Sequence, residues 1–102
     1  MINISFLYSI EGINNRAIIV YLYLNDRANK EGICWPGINT IATDLHRSRS
    51  TIKRAIHDLR ALELIQTEQR FRPNGAKSSL EYRLSRPKHY YFWRKQYELQ
   101  RI

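Results

Sequence analysis

Two amphipathic stretches separated by a three-residue polar turn constrain this chain more than any other feature. Ile38, Ile41, Ala42 and Leu45 fall on one face of the first stretch. Ile52, Ala55, Ile56, Leu59 and Leu62 form the apolar stripe of the second. Both sets recur at the three- and four-residue spacings of a helix. Between them stands His46-Arg47-Ser48, too short and polar for anything but a turn. Ser48 suits the start of the second helix, because a serine oxygen accepts a bond from a free first-turn amide, and Thr51 then takes the third helical position. Helices joined by so short a turn cross steeply, and the second projects from the body.

The flanking sequence supplies the rest of a small domain. Ala17, Ile18, Val20, Tyr21 and Leu24 predict a helix over 14–28, capped by Asn14 or Asn15. Ile19, Leu22 and Tyr23 make it apolar nearly all round, which implies burial on two sides or a partner surface. Ile33-Cys34-Trp35-Pro36 reads as a short strand stopped by proline. Leu64 to Arg72 alternates as a strand, with Ile65, Thr67, Gln69 and Phe71 expected on one side. Pro73-Asn74-Gly75-Ala76 is the strongest turn signal, since Asn-Gly tolerates the positive φ angles of a tight hairpin. Lys77 to Leu84 returns, with Leu80, Tyr82 and Leu84 inward. The order is helix, short strand, helix, turn, helix, β-hairpin, and a last helix over 88–100. The fold class is therefore mainly α with a small β-hairpin: a three-helix core plus a wing, with an additional C-terminal helix. The boundary falls after residue 85, leaving a basic aromatic tail over 86–102.

Composition narrows the function classes. The 102 residues hold 17 Lys and Arg against 9 Asp and Glu, a formal net charge of +8. The longest apolar run, Ala17–Leu24, is shorter than the ~20 residues a membrane span needs. The N-terminus has neither a basic leader nor a small-residue cleavage site, so a cytoplasmic, nucleoid-associated protein with no membrane partner is expected. One cysteine, Cys34, excludes an intrachain disulfide and a cysteine-rich zinc site. His46, His57 and His89 are not at ligand spacing, and no glycine-rich phosphate loop or nucleophile motif occurs. No enzyme, metal or cofactor is expected.

The charge is unevenly placed. Residues 46–60 carry Arg47, Arg49, Lys53, Arg54 and Arg60 against Asp58, a net +4. Residues 83–102 carry a net +5. The first third of the chain is balanced. On a wheel at about 100° per residue, Ser50, Arg54 and His57 lie opposite the apolar stripe of the second amphipathic helix. An arginine there can donate two parallel bonds to guanine O6 and N7, and a short serine lets the helix approach the base edges. Ser48, Thr51 and the free amides of the helix start suit phosphate oxygens. Arg49 and Lys53 diverge from the centre of the face, towards phosphate. Arg47 in the turn lies beside the face, and His57 reaches phosphate or nothing. Asp58 is out of place unless it pairs with Arg54 or Arg47. Arg70, Arg72 and Lys77 bracket the hairpin turn, as a basic wing would for backbone or minor groove.

The segment Ile41-Ala42-Thr43-Asp44-Leu45-His46-Arg47-Ser48-Arg49-Ser50-Thr51-Ile52-Lys53-Arg54-Ala55 resembles the helix-turn-helix of bacterial winged-helix proteins. Similar segments occur in GntR-type and related transcription regulators, and in the N-terminal domains of plasmid and phage replication initiators and replisome organisers. The resemblance covers roughly residues 13–84. It implies that Arg49, Ser50, Thr51 and Arg54 face double-stranded DNA. Two residues depart from the family pattern: glycine is usual where His46 stands, and an apolar residue where Arg47 stands.

The tail over 88–99 holds five of the chain's twelve aromatics. As a helix it puts Tyr90, Trp93 and Tyr97 on one stripe. That stripe has three readings: packing on the Ala17–Leu24 helix, a homodimer through the first and last helices, or stacking on single strands with Arg94 and Lys95 on phosphate. The function expected from the sequence is specific binding of duplex DNA by a small bacterial, phage or plasmid transcription regulator. The alternatives are the DNA-binding domain of a replication initiator or replisome organiser, and a winged-helix protein-docking module.

Overall fold

A computed structural model describes Leu7 and residues 10–85. The elements run α1 (Asn15–Arg27), β1 (Ile33–Cys34), α2 (Ile38–Leu45), α3 (Arg49–Ala61), β2 (Ile65–Phe71) and β3 (Lys77–Leu84). Three helices and a three-stranded antiparallel sheet make a winged helix-turn-helix. The expected last helix over 88–100 lies outside the described residues.

Each helix begins and ends for a local reason. Asn14 caps α1, its Oδ1 accepting the Ala17 amide at 2.9 Å. Ser48 caps α3, its Oγ accepting the Thr51 amide at 3.1 Å. Such caps are worth about 0.5–2 kcal/mol each. α2 and α3 both end without glycine. His46 turns left-handed at φ 55°, ψ 44°. Its amide bonds Thr43 O at 3.3 Å, and the Arg47 amide reaches back to Ala42 O at 3.0 Å. Glu63 repeats the device at φ 60°. Its amide bonds Arg60 O at 3.0 Å, and the Leu64 amide bonds Leu59 O at 2.9 Å. These paired bonds satisfy carbonyls that a helix end leaves open. Leu64, one residue past the turn, is buried and completes the motif with an apolar contact. Arg47 holds the same place after α2 but is exposed, so that apolar contact is missing there.

The core lies between the helices and one face of the sheet. Ala17, Val20, Tyr21 and Leu24 of α1 are buried, as are Ile52, Ala55, Ile56 and Leu59 of α3. α1 packs chiefly against α3. Truncating Ile52 or Leu59 to alanine would cost about 2–5 kcal/mol, since each is fully enclosed. Ile18, Ile19, Leu22 and Tyr23 of α1 are half-buried rather than enclosed. Tyr23 is tied to α2: its hydroxyl donates to Asp44 Oδ2 at 2.6 Å, and Arg27 reaches the same oxygen at 3.0 Å. Burial, then the bond to Asp44, pushes the Tyr23 hydroxyl up to about 12.

The hairpin is part of a larger sheet. Its order is β1-β3-β2, so the two-residue β1 pairs with β3, Cys34 opposite Tyr82. Cys34 is buried, with its thiol 3.6 Å from Leu24 O. The β2–β3 turn corrects one sequence expectation. Of the Asn74-Gly75 pair, Asn74 is not in a positive-φ conformation and Gly75 is, at 85°. The Gly75 amide bonds Arg72 O at 2.8 Å, and the Arg72 amide bonds Ala76 O at 2.7 Å. This is a three-residue loop closed by one left-handed glycine, not a two-residue Asn-Gly turn. The register also slips. Gln69 pairs with Leu80, but Phe71 pairs with Lys77, so β3 carries one extra residue. Phe71, expected on the side of Ile65, Thr67 and Gln69, is 62% exposed. Phe71 lies beyond this bulge, at the hairpin tip, where it is exposed.

Candidate nucleic-acid interface

α3 presents two polar stripes. Ser50, Arg54 and His57 are exposed on its outer face, at the spacing of one helical side. Arg49 and Lys53, four residues apart, form the neighbouring stripe and turn towards the hairpin. There they meet Arg72 and Lys77 across an open groove of about 810 Å³. No acidic residue lines this groove. With four cations and no counter-charge, its walls attract phosphate and repel an acidic surface.

The remaining walls were not foreseen from sequence. Gly37, Ile38 and Asn39 bring the start of α2 into the groove. Gly37 offers no side-chain cap, so the first amides of α2 keep their donors. A helix start of this kind adds partial positive charge to the cations around it. Gln69, Ser78 and Ser79 form part of the hairpin side. Gln69 Nε2 donates to Arg70 O at 2.9 Å and to Ser78 O at 2.8 Å, which fixes the bulge beside Lys77. No signal in the sequence could have found this set, because it depends on where the strand slips register.

The helix start is stiffened from within. Ser48 Oγ and Thr51 Oγ1 lie 2.9 Å apart, and Thr51 is half-buried. The two hydroxyls therefore hold each other while Ser48 caps the helix. Arg47 and Ser48 are exposed at the turn, beside the start of α3.

Two sequence expectations change. Asp58 does not pair with Arg54 or Arg47. Its Oδ2 accepts Asn14 Nδ2 at 2.9 Å and Arg16 Nε at 2.9 Å, both from the start of α1. On a helical wheel Asp58 flanks the face of Ser50 and Arg54, and α1 meets α3 on that flank. The bond from Asn14, then that from Arg16, holds the Asp58 carboxyl below the usual carboxylate range. Arg54 and Arg47 are thereby left without this counter-charge.

Arg70 is separated from the other hairpin cations. Its guanidinium sits 5.6 Å from the centre of the Trp35 ring. Trp35 Nε1 in turn donates to Glu81 Oε1 at 3.3 Å, and Glu81 Oε2 accepts Arg83 Nε at 2.7 Å. Trp35, Arg70, Glu81 and Arg83 share the sheet face turned away from the core, whereas Arg72, one residue past the end of β2, lines the groove with Lys77, Arg49 and Lys53. Tyr90, Trp93 and Tyr97 lie outside the described residues.

A family model described as a helix-turn-helix domain matches residues 11–65, more than half of the chain. The chain belongs to this family. The match takes in α1 to α3 and ends on the first residue of β2, so it supports DNA binding by the helical part. The chain is also similar to Protein YmfN of Escherichia coli strain K12, at 32% identity over 65 residues. That segment is 64% of this chain and 14% of YmfN, so the chain spans only a small part of that relative's length. No solved structure matches. Among the described residues no helix is long and apolar enough to cross a membrane, and no group of three or more His, Cys, Asp or Glu residues is placed to hold a metal ion.

Proposed function

We propose that this chain binds specific sequences of duplex DNA, with α3 in the major groove and the hairpin on the flanking backbone. The observation that carries the reading is the acid-free groove in which Arg49 and Lys53 face Arg72 and Lys77. Helix and hairpin thereby share one cationic surface suited to phosphate. Exposed on the adjacent stripe, Arg54 and Ser50 are the candidates for base edges. The role is binding, without catalysis. The biological role we favour is that of a small bacterial, phage or plasmid transcription regulator in the cytoplasm. A homodimer through α1 and the residues after 85 would set two half-sites about one helical turn apart.

A second reading has one observation in its favour. The segment similar to this chain is 14% of YmfN, so such a domain also serves as a small part of a much longer protein. That is the arrangement expected of a replication initiator or replisome organiser, whose DNA-binding domain works in front of others. A protein-docking winged helix is disfavoured, because it has no use for four converging cations.

The test is selection of bound sequences from a random duplex pool. A defined motif under α3 supports the reading, and two inverted copies reveal the dimer. Recovery of unselected sequence at every round contradicts specific binding.

A further inference from the structure

Phe71 is 62% exposed, more than any other large hydrophobic residue described. Trp35, the other such residue at 42%, already has partners in Arg70 and Glu81. Phe71 stands near the hairpin tip, across the strand pair from Lys77 and beside Arg72. Residues 69–80 hold Arg70, Arg72 and Lys77 and no acidic residue. The arm therefore offers one bare aromatic ring set among cations.

That combination selects its occupant. An apolar protein partner would not need an acid-free arm, and a phosphate surface alone would not need the ring. The minor groove of duplex DNA presents both demands: charged rims and a floor of sugar and base edges. It is about 6 Å wide, enough to admit a side chain from the hairpin tip. Minor-groove proteins insert apolar wedges between base steps in this way and partly unstack them.

We propose that Phe71 is a minor-groove wedge: with Arg72 and Lys77 on the phosphate rims, its ring enters the groove beside the α3 site and opens one base step. The inference rests on the duplex-binding reading above and adds a specificity element to it. Pyrimidine–purine steps unstack most easily, so the wedge favours such a step at a fixed distance from the α3 motif.

The experiment uses the full chain and duplexes carrying 2-aminopurine at successive positions beside the selected motif. Wild-type protein should raise the fluorescence at one step. Phe71→Ala should abolish that rise and weaken binding about tenfold, with the salt dependence unchanged because no cation is lost. Phe71→Leu should retain part of the rise. Phe71 is exposed, so the melting temperature of both variants should match wild type. A wild-type protein that binds duplex without unstacking any step overturns the wedge alone. So does a Phe71→Ala variant that binds and unstacks as wild type does. A wild-type protein that binds no duplex overturns the wedge together with the reading it rests on.

Discussion

Asp58 Oδ2 lies 2.9 Å from Arg16 Nε, and the same oxygen accepts Asn14 Nδ2 at 2.9 Å. A carboxylate on the DNA-proposed helix thus grips the first turn of α1. Asn14 works twice, since its Oδ1 caps α1 while its Nδ2 holds Asp58. The contact ties the C-terminal half of α3 to the start of α1.

This contact gives stability a pH dependence. The folded protein holds the Asp58 carboxyl below its ordinary value. The stabilisation is therefore fully present above the ordinary carboxylate range, about pH 4, and is lost as pH falls through the folded value. Asp58→Asn keeps the size of the side chain and removes the charge. Because the pair is partly exposed, the loss near pH 7 should be about 1 kcal/mol. Thermal melting at pH 7 and pH 3 checks it. The gap between wild type and variant should shrink at pH 3, and an equal gap at both values would show that the charge plays no part.

His46 carries strain that glycine would relieve. A left-handed residue with a Cβ costs about 1–2 kcal/mol, offset in part by the greater freedom of unfolded glycine. His46→Gly should stabilise the domain by about 0.5–1 kcal/mol, or several degrees in Tm. A drop in Tm would mean that the imidazole makes a stabilising contact.

Much of the helical frame was legible in the sequence because its signals are local. Asn14 and Ser48 mark starts by their own side chains, and the bounds of α2 at Ile38 and Leu45 follow from apolar spacing alone. What the sequence hid is what distant chain brings together. A helix wheel places Asp58 on a margin but does not say that α1 covers it. Strand alternation puts Phe71 on the side of Ile65 and Thr67 but does not say that this side lies bare at the hairpin tip. Arg70, Arg72 and Lys77 look alike around a turn. Only the pairing of β1 with β3, which sets Trp35 under Arg70, separates the first from the other two.

That separation has a measurable consequence. Arg72→Ala removes a groove cation and should weaken DNA binding more than Arg70→Ala, which removes a partner of Trp35. Equal losses in a binding titration would place both side chains on phosphate.

Arg54 should behave differently from every groove cation. Arg54→Ala should cost about 1–3 kcal/mol of binding and relax base preference at one position. Binding measured across single-base variants of the selected site reads this out. Uniform weakening over all of them would make Arg54 a phosphate contact.

If the groove between α3 and the hairpin grips the DNA backbone, binding must weaken steeply as salt rises. If six to ten phosphates are neutralised, affinity should fall by ~10³–10⁵ between 50 and 200 mM salt. Replacing Lys53 and Lys77 together by alanine should lower the slope of log affinity against log salt by about 2, roughly one for each lost contact. A flat response in the wild-type protein, or a slope that the double substitution leaves unchanged, would show that the groove does not hold phosphate.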